Sequence, residues 1–219
     1  MVATLLLFVV PTLSLWYAVS SKPAYWQPPD PQRPSVREMA EAFEQAMSAQ
    51  VPKLTAAAPA TGQPAPAAER LEWTAVVTLD QLNSWLAVRV ADWGVKRRID
   101  PRVLDRLSRS VVNVDLDAVE IAIPIERAGL ASILQLRYKP MVGGHRPVRL
   151  MLQEAHAGLV PVPIDTVLDK VAAYLPQTLR GKVQWLDLQI PLEDGRTVSV
   201  TDMALLPGKF LLTCRADGG

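Results

Sequence analysis

Hydrophobic residues fall into three successive rhythms along the chain. Residues 2–19 carry no charged side chain and are mostly Leu, Val, Ala and Phe, an unbroken apolar run. At about 1.5 Å rise per residue the run spans roughly 27 Å, close to the hydrocarbon thickness of a bilayer. The rhythm then turns helical. Val36, Met39, Phe43, Ala46 and Met47 recur on one side of a stretch whose other side holds Arg37, Glu38, Glu41, Glu44 and Gln45. Ser35 and Glu38 make a capping-box pattern at its start. A short alternation at Leu71, Trp73, Ala75 and Val77 predicts a strand. Thr78 and Gln81 then predict the cap of a helix with Leu79, Leu82, Leu86, Val90 and Trp93 on one face and Gly94 as its stop. Asp100-Pro101 reads as an N-cap followed by proline at the first helical position, with Val103, Leu104 and Leu107 behind it.

From Val111 the period becomes two. Val119, Ile121, Ile123 and Ile125 alternate with Ala118, Glu120, Ala122 and Pro124. Leu130, Leu134, Leu136 and Tyr138 repeat the pattern after a turn, and Val148, Leu150 and Leu152 start another strand. Hairpin spacing of this kind predicts an antiparallel meander. A helix follows over about 165–175, a strand around Leu186–Ile190, and a hairpin closes on Pro207-Gly208. The fold class is therefore α+β: an antiparallel sheet with helices packed on one side, preceded by a single N-terminal transmembrane helix.

The boundaries follow from composition. Residues 1–21 form the transmembrane anchor and 22–34 a Pro-rich spacer. Residues 35–50 are the amphipathic helix, which either packs on its own domain or docks on a partner. Residues 51–70 are an Ala/Pro linker, and 71–219 make the α+β domain. Trp16, Tyr17, Lys22, Tyr25 and Trp26 give the aromatic and cationic dressing of a membrane interface. A cleaved signal peptide is the alternative, since Ala18-Val19-Ser20 resembles a cleavage site; the lack of Lys or Arg before the apolar run argues against it. The expected address is a bacterial cell membrane, single-pass, with the bulk of the chain extracytoplasmic.

Net charge is +1 with both signs spread along the chain, which argues against nucleic acid as a partner. One cysteine, Cys214, and two histidines, His145 and His156, leave no internal disulfide and no multi-cysteine or histidine-rich metal site. No nucleophile elbow is present. His145 and His156 read as exposed loop histidines, and Cys214 as a buried thiol on the last strand. Asp115/Asp117 and Glu193/Asp194 read as solvated edge charges, because acid–base work needs two carboxylates in one cleft with separated pKa values. The expectation is a chain that is not an enzyme and carries no cofactor or metal. Two groups of residues are candidates for binding. Ala118, Ala122, Ala131, Ile133 and Met151 lie opposite the main apolar strand face, where small residues can leave an apolar groove or an interface. Lys96, Arg97 and Arg98, followed by Arg102, Arg106 and Arg109, are candidates for contact with anionic headgroups or an acidic partner.

An apolar anchor, a strand running into Thr78-Leu79-Asp80-Gln81-Leu82-Asn83, and a meander with Arg137-Tyr138-Lys139-Pro140 and Leu150-Met151-Leu152-Gln153 occur in that order. Gly158-Leu159-Val160-Pro161-Val162-Pro163-Ile164 then leads into a helix ending at Leu175-Pro176. Together these segments resemble the YpmS-type group of membrane-anchored bacterial proteins, and the last is similar to bacterial lipid-binding proteins of the tubular-lipid-binding class. The resemblance covers residues 73–215. It implies an extracytoplasmic anchored domain that handles lipid, and it transfers no site residues. The expected function is thus a non-enzymatic module binding lipid or another apolar ligand; an accessory or structural subunit of a larger membrane complex is the alternative.

Overall fold

The computed structural model describes residues 14–48, 72–95, 99–127, 129–143, 147–172, 185–191 and 197–217. The chain opens with helix α1 over residues 14–20, and an extended segment leads to helix α2, Pro34–Ser48. Strand β1 (Glu72–Thr78), helix α3 (Leu79–Val95) and helix α4 (Pro101–Ser108) come next. The meander contains β2 (Val111–Asp115), β3 (Ala118–Arg127), β4 (Leu130–Met141), β5 (Arg149–Ala157) and β6 (Val160–Pro161). Helix α5 (Ile164–Ala172), β7 (Trp185–Asp187), β8 (Gln189–Pro191) and the hairpin β9 (Thr197–Leu206)–β10 (Lys209–Asp217) complete it.

The protein is α+β with antiparallel pairing throughout, but the strands form two sheets where the pattern suggested one. One sheet has the order β1-β10-β9-β8; the other runs β2-β3-β4-β5-β6, with β7 also on β5. The first strand therefore closes on the last, Trp73 opposite Cys214 and Val77 opposite Phe210. The sheets meet where the Val148 amide donates to Val200 O, Leu188 N to Val148 O and Val200 N to Leu188 O, at 2.6, 3.0 and 2.9 Å. Period-two alternation marks which side of each strand is buried and carries no information on which sheet the strand joins.

The core lies between the sheets. Trp73, Ala75 and Val77 from β1, Val198 and Val200 from β9, and Phe210, Leu212 and Cys214 from β10 meet Val112, Val119, Leu136, Tyr138, Leu150 and Leu152. Leu79, Leu82 and Leu86 of α3 pack against this cluster. The predicted capping box at the start of α3 is present: Thr78 N donates to Gln81 Oε1 at 2.9 Å and Gln81 N to Thr78 Oγ1 at 3.2 Å. Asn83 fastens the helix to edge strand β2, donating to Val112 O at 2.9 Å and accepting from Val112 N at 2.7 Å. Both polar groups of a buried amide are thereby satisfied.

Two local details depart from the sequence pattern, and a third follows it. Helix α2 begins at Pro34 and not at Ser35; Val36 N and Arg37 N donate to Arg33 O, so Pro34 holds the first helical position that suits its fixed φ. Gly94 lies inside α3 instead of ending it. A Cβ there would overlap the Leu104 side chain, so glycine is what lets α4 approach. Asp100 caps α4 as predicted, accepting from Arg102 N at 2.7 Å.

The amphipathic helix α2 lies on its own domain. Val36 and Ala40 are buried, Phe43 stacks at 5.5 Å on Trp85, and Arg89 pairs with Glu44 at 3.4 Å. Residues 51–70, the predicted linker, fall outside the described residues, as do residues 1–13 of the apolar run. Among the described residues no helix is long and apolar enough to cross a membrane.

Candidate functional site

The alternation that buries Val119 and Leu136 in the core points the intervening side chains of β2, β3 and β4 to the far face of the six-stranded sheet. Two kinds of residue share that face. At one end stands Arg137, whose Nη1 lies 2.8 Å from Asp115 Oδ2 and 3.0 Å from Glu120 Oε1, with Asp117 at 3.8 Å from Nη2. Lys139 pairs with Asp117 at 3.4 Å. The hydrogen bond to Asp115 holds the guanidinium pKa above its ordinary value, against the opposing effect of burial. Toward the other end small and apolar residues predominate, Ala122, Pro124, Ala131 and Ile133, with Gln135 and Glu126 beside them.

The N-terminal segment covers this face. Leu159 N donates to Ala18 O at 2.8 Å, and Ser132 Oγ donates to Val19 O. Gly158, at φ +59°, faces the carbonyls of Ala18 and Val19 so closely that a Cβ would overlap them. Further on lies Tyr25, whose buried hydroxyl has no hydrogen-bond partner among the described residues. Burial first, then Glu120 and Asp115, push its phenol pKa above the ordinary value, because a phenolate there would be both desolvated and repelled. Ala118 and Ala122 are 1% and 0% exposed and Ile133 is buried. Residues 22–34, which composition casts as a spacer leading away from a membrane, include the part of the chain that lies on the sheet.

Between this segment and α4 the sheet stays open. A cleft of about 650 Å³ has Pro124, Ile125, Ala131, Ile133 and Trp26 on its apolar side. Lys22, Arg102, Arg106 and Arg109 supply four cations, against Asp105 and Glu126. Arg109 is engaged by Asp105 one helical turn away. Arg102 and Arg106 line it together because their spacing places them on one face of α4, and Arg109, the C-cap residue, continues that line. An apolar wall beside a cationic one suits a ligand with a hydrocarbon part and an anionic part.

The predicted binding residues are thus divided. Ala131, exposed, and Ile133 line the cleft; Ala118 and Ala122 are sealed on the same face, and Met151 is half-buried. Lys96, Arg97 and Arg98 lie outside the described residues, as do His145, Glu193 and Asp194. His156 is not in a loop. It belongs to β5 and lines a polar depression of about 330 Å³ with Glu120, Gln135, Arg137 and Glu154. Asp115 and Asp117 are drawn to one arginine, which explains their spacing without acid–base chemistry. Cys214 is fully buried, and burial pushes its thiol up to about 11. Among the described residues no group of three or more His, Cys, Asp or Glu side chains is placed to hold a metal ion.

The architecture defines an α+β domain of two joined antiparallel sheets with an N-terminal segment laid across one of them. Comparison of the chain with family models, with curated proteins and with solved structures finds no match. The helical spacing of the α4 arginines is visible in the sequence. Their meeting with Lys22 and Trp26 is not, since it joins residues about 80 positions apart.

Proposed function

We propose that the protein is a non-enzymatic module, held at the extracytoplasmic face of a cell membrane by residues 2–19, whose cleft takes the anionic end of a lipid or similar amphiphile. The observation that carries this is the composition of the cleft: four cations facing Pro124, Ile125 and Ile133, with Ser20 and Lys22, the residues that follow the apolar run, on its rim. Cations at a membrane surface attract anionic headgroups, and an adjacent apolar wall retains the acyl portion. The resemblance of residues 73–215 to the YpmS-type group implies the same kind of anchored domain.

Native mass spectrometry of the full chain in detergent, offered phosphatidylglycerol or phosphatidylcholine, tests the proposal. Retained phosphatidylglycerol is expected for the wild type, with several-fold loss in Ala131→Trp and in Arg102→Glu. Both positions are exposed, so the substitutions spare the core. Equal retention of the two lipids, or equal retention by all three proteins, would sink the idea.

A second reading, an accessory subunit of a larger membrane complex, is favoured by one observation. On the outer face of the four-stranded sheet Val76 lies opposite Leu211, and Leu211 opposite Ala204, all three exposed. A cross-strand apolar row of this kind suits a protein partner. A single mass equal to that of the monomer, in gently solubilised membranes, would remove it.

A further inference from the structure

The Gly158-Leu159 turn carries a large apolar side chain, 65% exposed, where turns usually place small or polar residues. Exposure alone does not single it out. Leu116, in the turn between β2 and β3, is more exposed still at 86%. The two turns differ in what lies beside them. Strand register sets them well apart along the sheet: Asp115 and Ala118 flank Leu116 beside the Tyr138 end of β4, whereas Ala157, next to Gly158, pairs with Leu134 in the first half of that strand. Only the Leu159 turn touches the N-terminal helix. Its amide is bonded to Ala18 O, and its glycine leaves room for nothing but the backbone of Ala18 and Val19.

Ala18 and Val19 are the last residues of the apolar run, after Trp16 and Tyr17 and before Lys22. Trp and Tyr settle at the headgroup level of a bilayer and lysine extends into the aqueous side of it. A backbone hydrogen bond to Ala18 leaves no length of chain in which the turn can depart from that level. Leu15, Trp16 and Tyr17 expose 59%, 56% and 68% of their surfaces beside it.

We propose that Leu159 is inserted in the interfacial region of the same bilayer that residues 2–19 enter. The domain is then held against the membrane at two adjoining points and does not swing on a flexible tether. This rests on the reading of residues 2–19 as a membrane anchor. A lipid surface is the occupant because, among the described residues, the element bonded to the turn from outside its own sheet is the end of that apolar run. The cationic cleft also opens at this end, lined by Ser20, Lys22 and Ser132. Its ligand would then enter from the bilayer surface itself.

The test uses the full chain reconstituted in vesicles of phosphatidylcholine and phosphatidylglycerol. The lone native thiol is removed by Cys214→Ala. A polarity-sensitive fluorophore is placed at Leu159→Cys and, separately, at Leu116→Cys. Vesicle flotation is measured on the same samples. The expected result is co-flotation, a blue-shifted probe at position 159, and quenching there by brominated lipid several-fold stronger than at position 116. Gly158→Ala, which displaces the Ala18 backbone, should reduce that quenching while the chain still floats. A chain that floats with equally aqueous probes at both positions overturns the insertion of Leu159 and leaves the anchor intact. A chain that does not float overturns the anchor, and the insertion with it.

Discussion

The two faces of the six-stranded sheet are built from alternate residues of the same strands, yet they are closed by different means. The inner face presents Val112, Val119, Leu136 and Tyr138 to the second sheet, and shape and hydrophobicity suffice to close it. The outer face interleaves Ala118, Ala122 and Ile133 with Glu120 and Arg137, and it is covered by a strip of chain from before the domain. A strip can bury small residues beneath it but cannot span a whole sheet. It leaves one apolar and cationic cleft along one side and a polar depression along the other. Incomplete cover leaves the outer face with the open clefts, and the packing of the second sheet makes the inner face a scaffold.

The contrast predicts a large effect first in the scaffold. Trp73→Ala should cost about 3–5 kcal/mol, toward the lower end because the indole Nε1 is buried without a partner and its loss relieves that penalty. Thermal unfolding of the purified chain measures it. A change below about 1 kcal/mol would show that the inter-sheet core does not depend on its largest side chain.

On the outer face the expected cost is smaller and more local. Ala122→Trp, at a position with no exposure, should lift the N-terminal strip at a cost of about 1–3 kcal/mol while the inter-sheet core persists. Limited proteolysis should then cut within residues 22–33 well before the sheets unfold. Cleavage there at the wild-type rate would mean that the strip does not depend on the small-residue face.

The smallest effect appears only in alkali. Burial raises the Cys214 thiol from its ordinary 9.0 to about 11, and Tyr138 from 10.0 to about 12; both side chains belong to the core. A group with a raised folded pKa contributes stability that is intact below its unfolded value and lost as pH climbs to the folded one. Unfolding midpoints should therefore fall from about pH 9 upward. Cys214→Ala should delay the fall to about pH 10, where Tyr138 of the core and Tyr25 of the outer face begin to act. An unchanged onset in that variant would assign the alkaline loss to another group.

Much of this could be read along the chain. The Thr78/Gln81 box, the Asp100-Pro101 cap, the meander from Val111 and the hairpin at Pro207-Gly208 are local signals, because each is set by contacts a few residues apart or by strict alternation. The buried thiol of Cys214 and the apolar stripe of α2 were equally legible from periodicity. Alternation also picked out Ala118, Ala122, Ala131, Ile133 and Met151 as a face requiring an explanation. It could not say what covers that face, since the covering residues Ala18 to Trp26 are about a hundred positions away and share no period with it. For the same reason only the tertiary structure decided three things: that β1 closes on β10, that the strands divide into two sheets, and that Lys22 meets the arginines of α4. Local propensity fixes which residues form an element and which side of it is apolar. Partners distant in sequence are selected by fitting whole surfaces together, and that selection is a property of the folded chain.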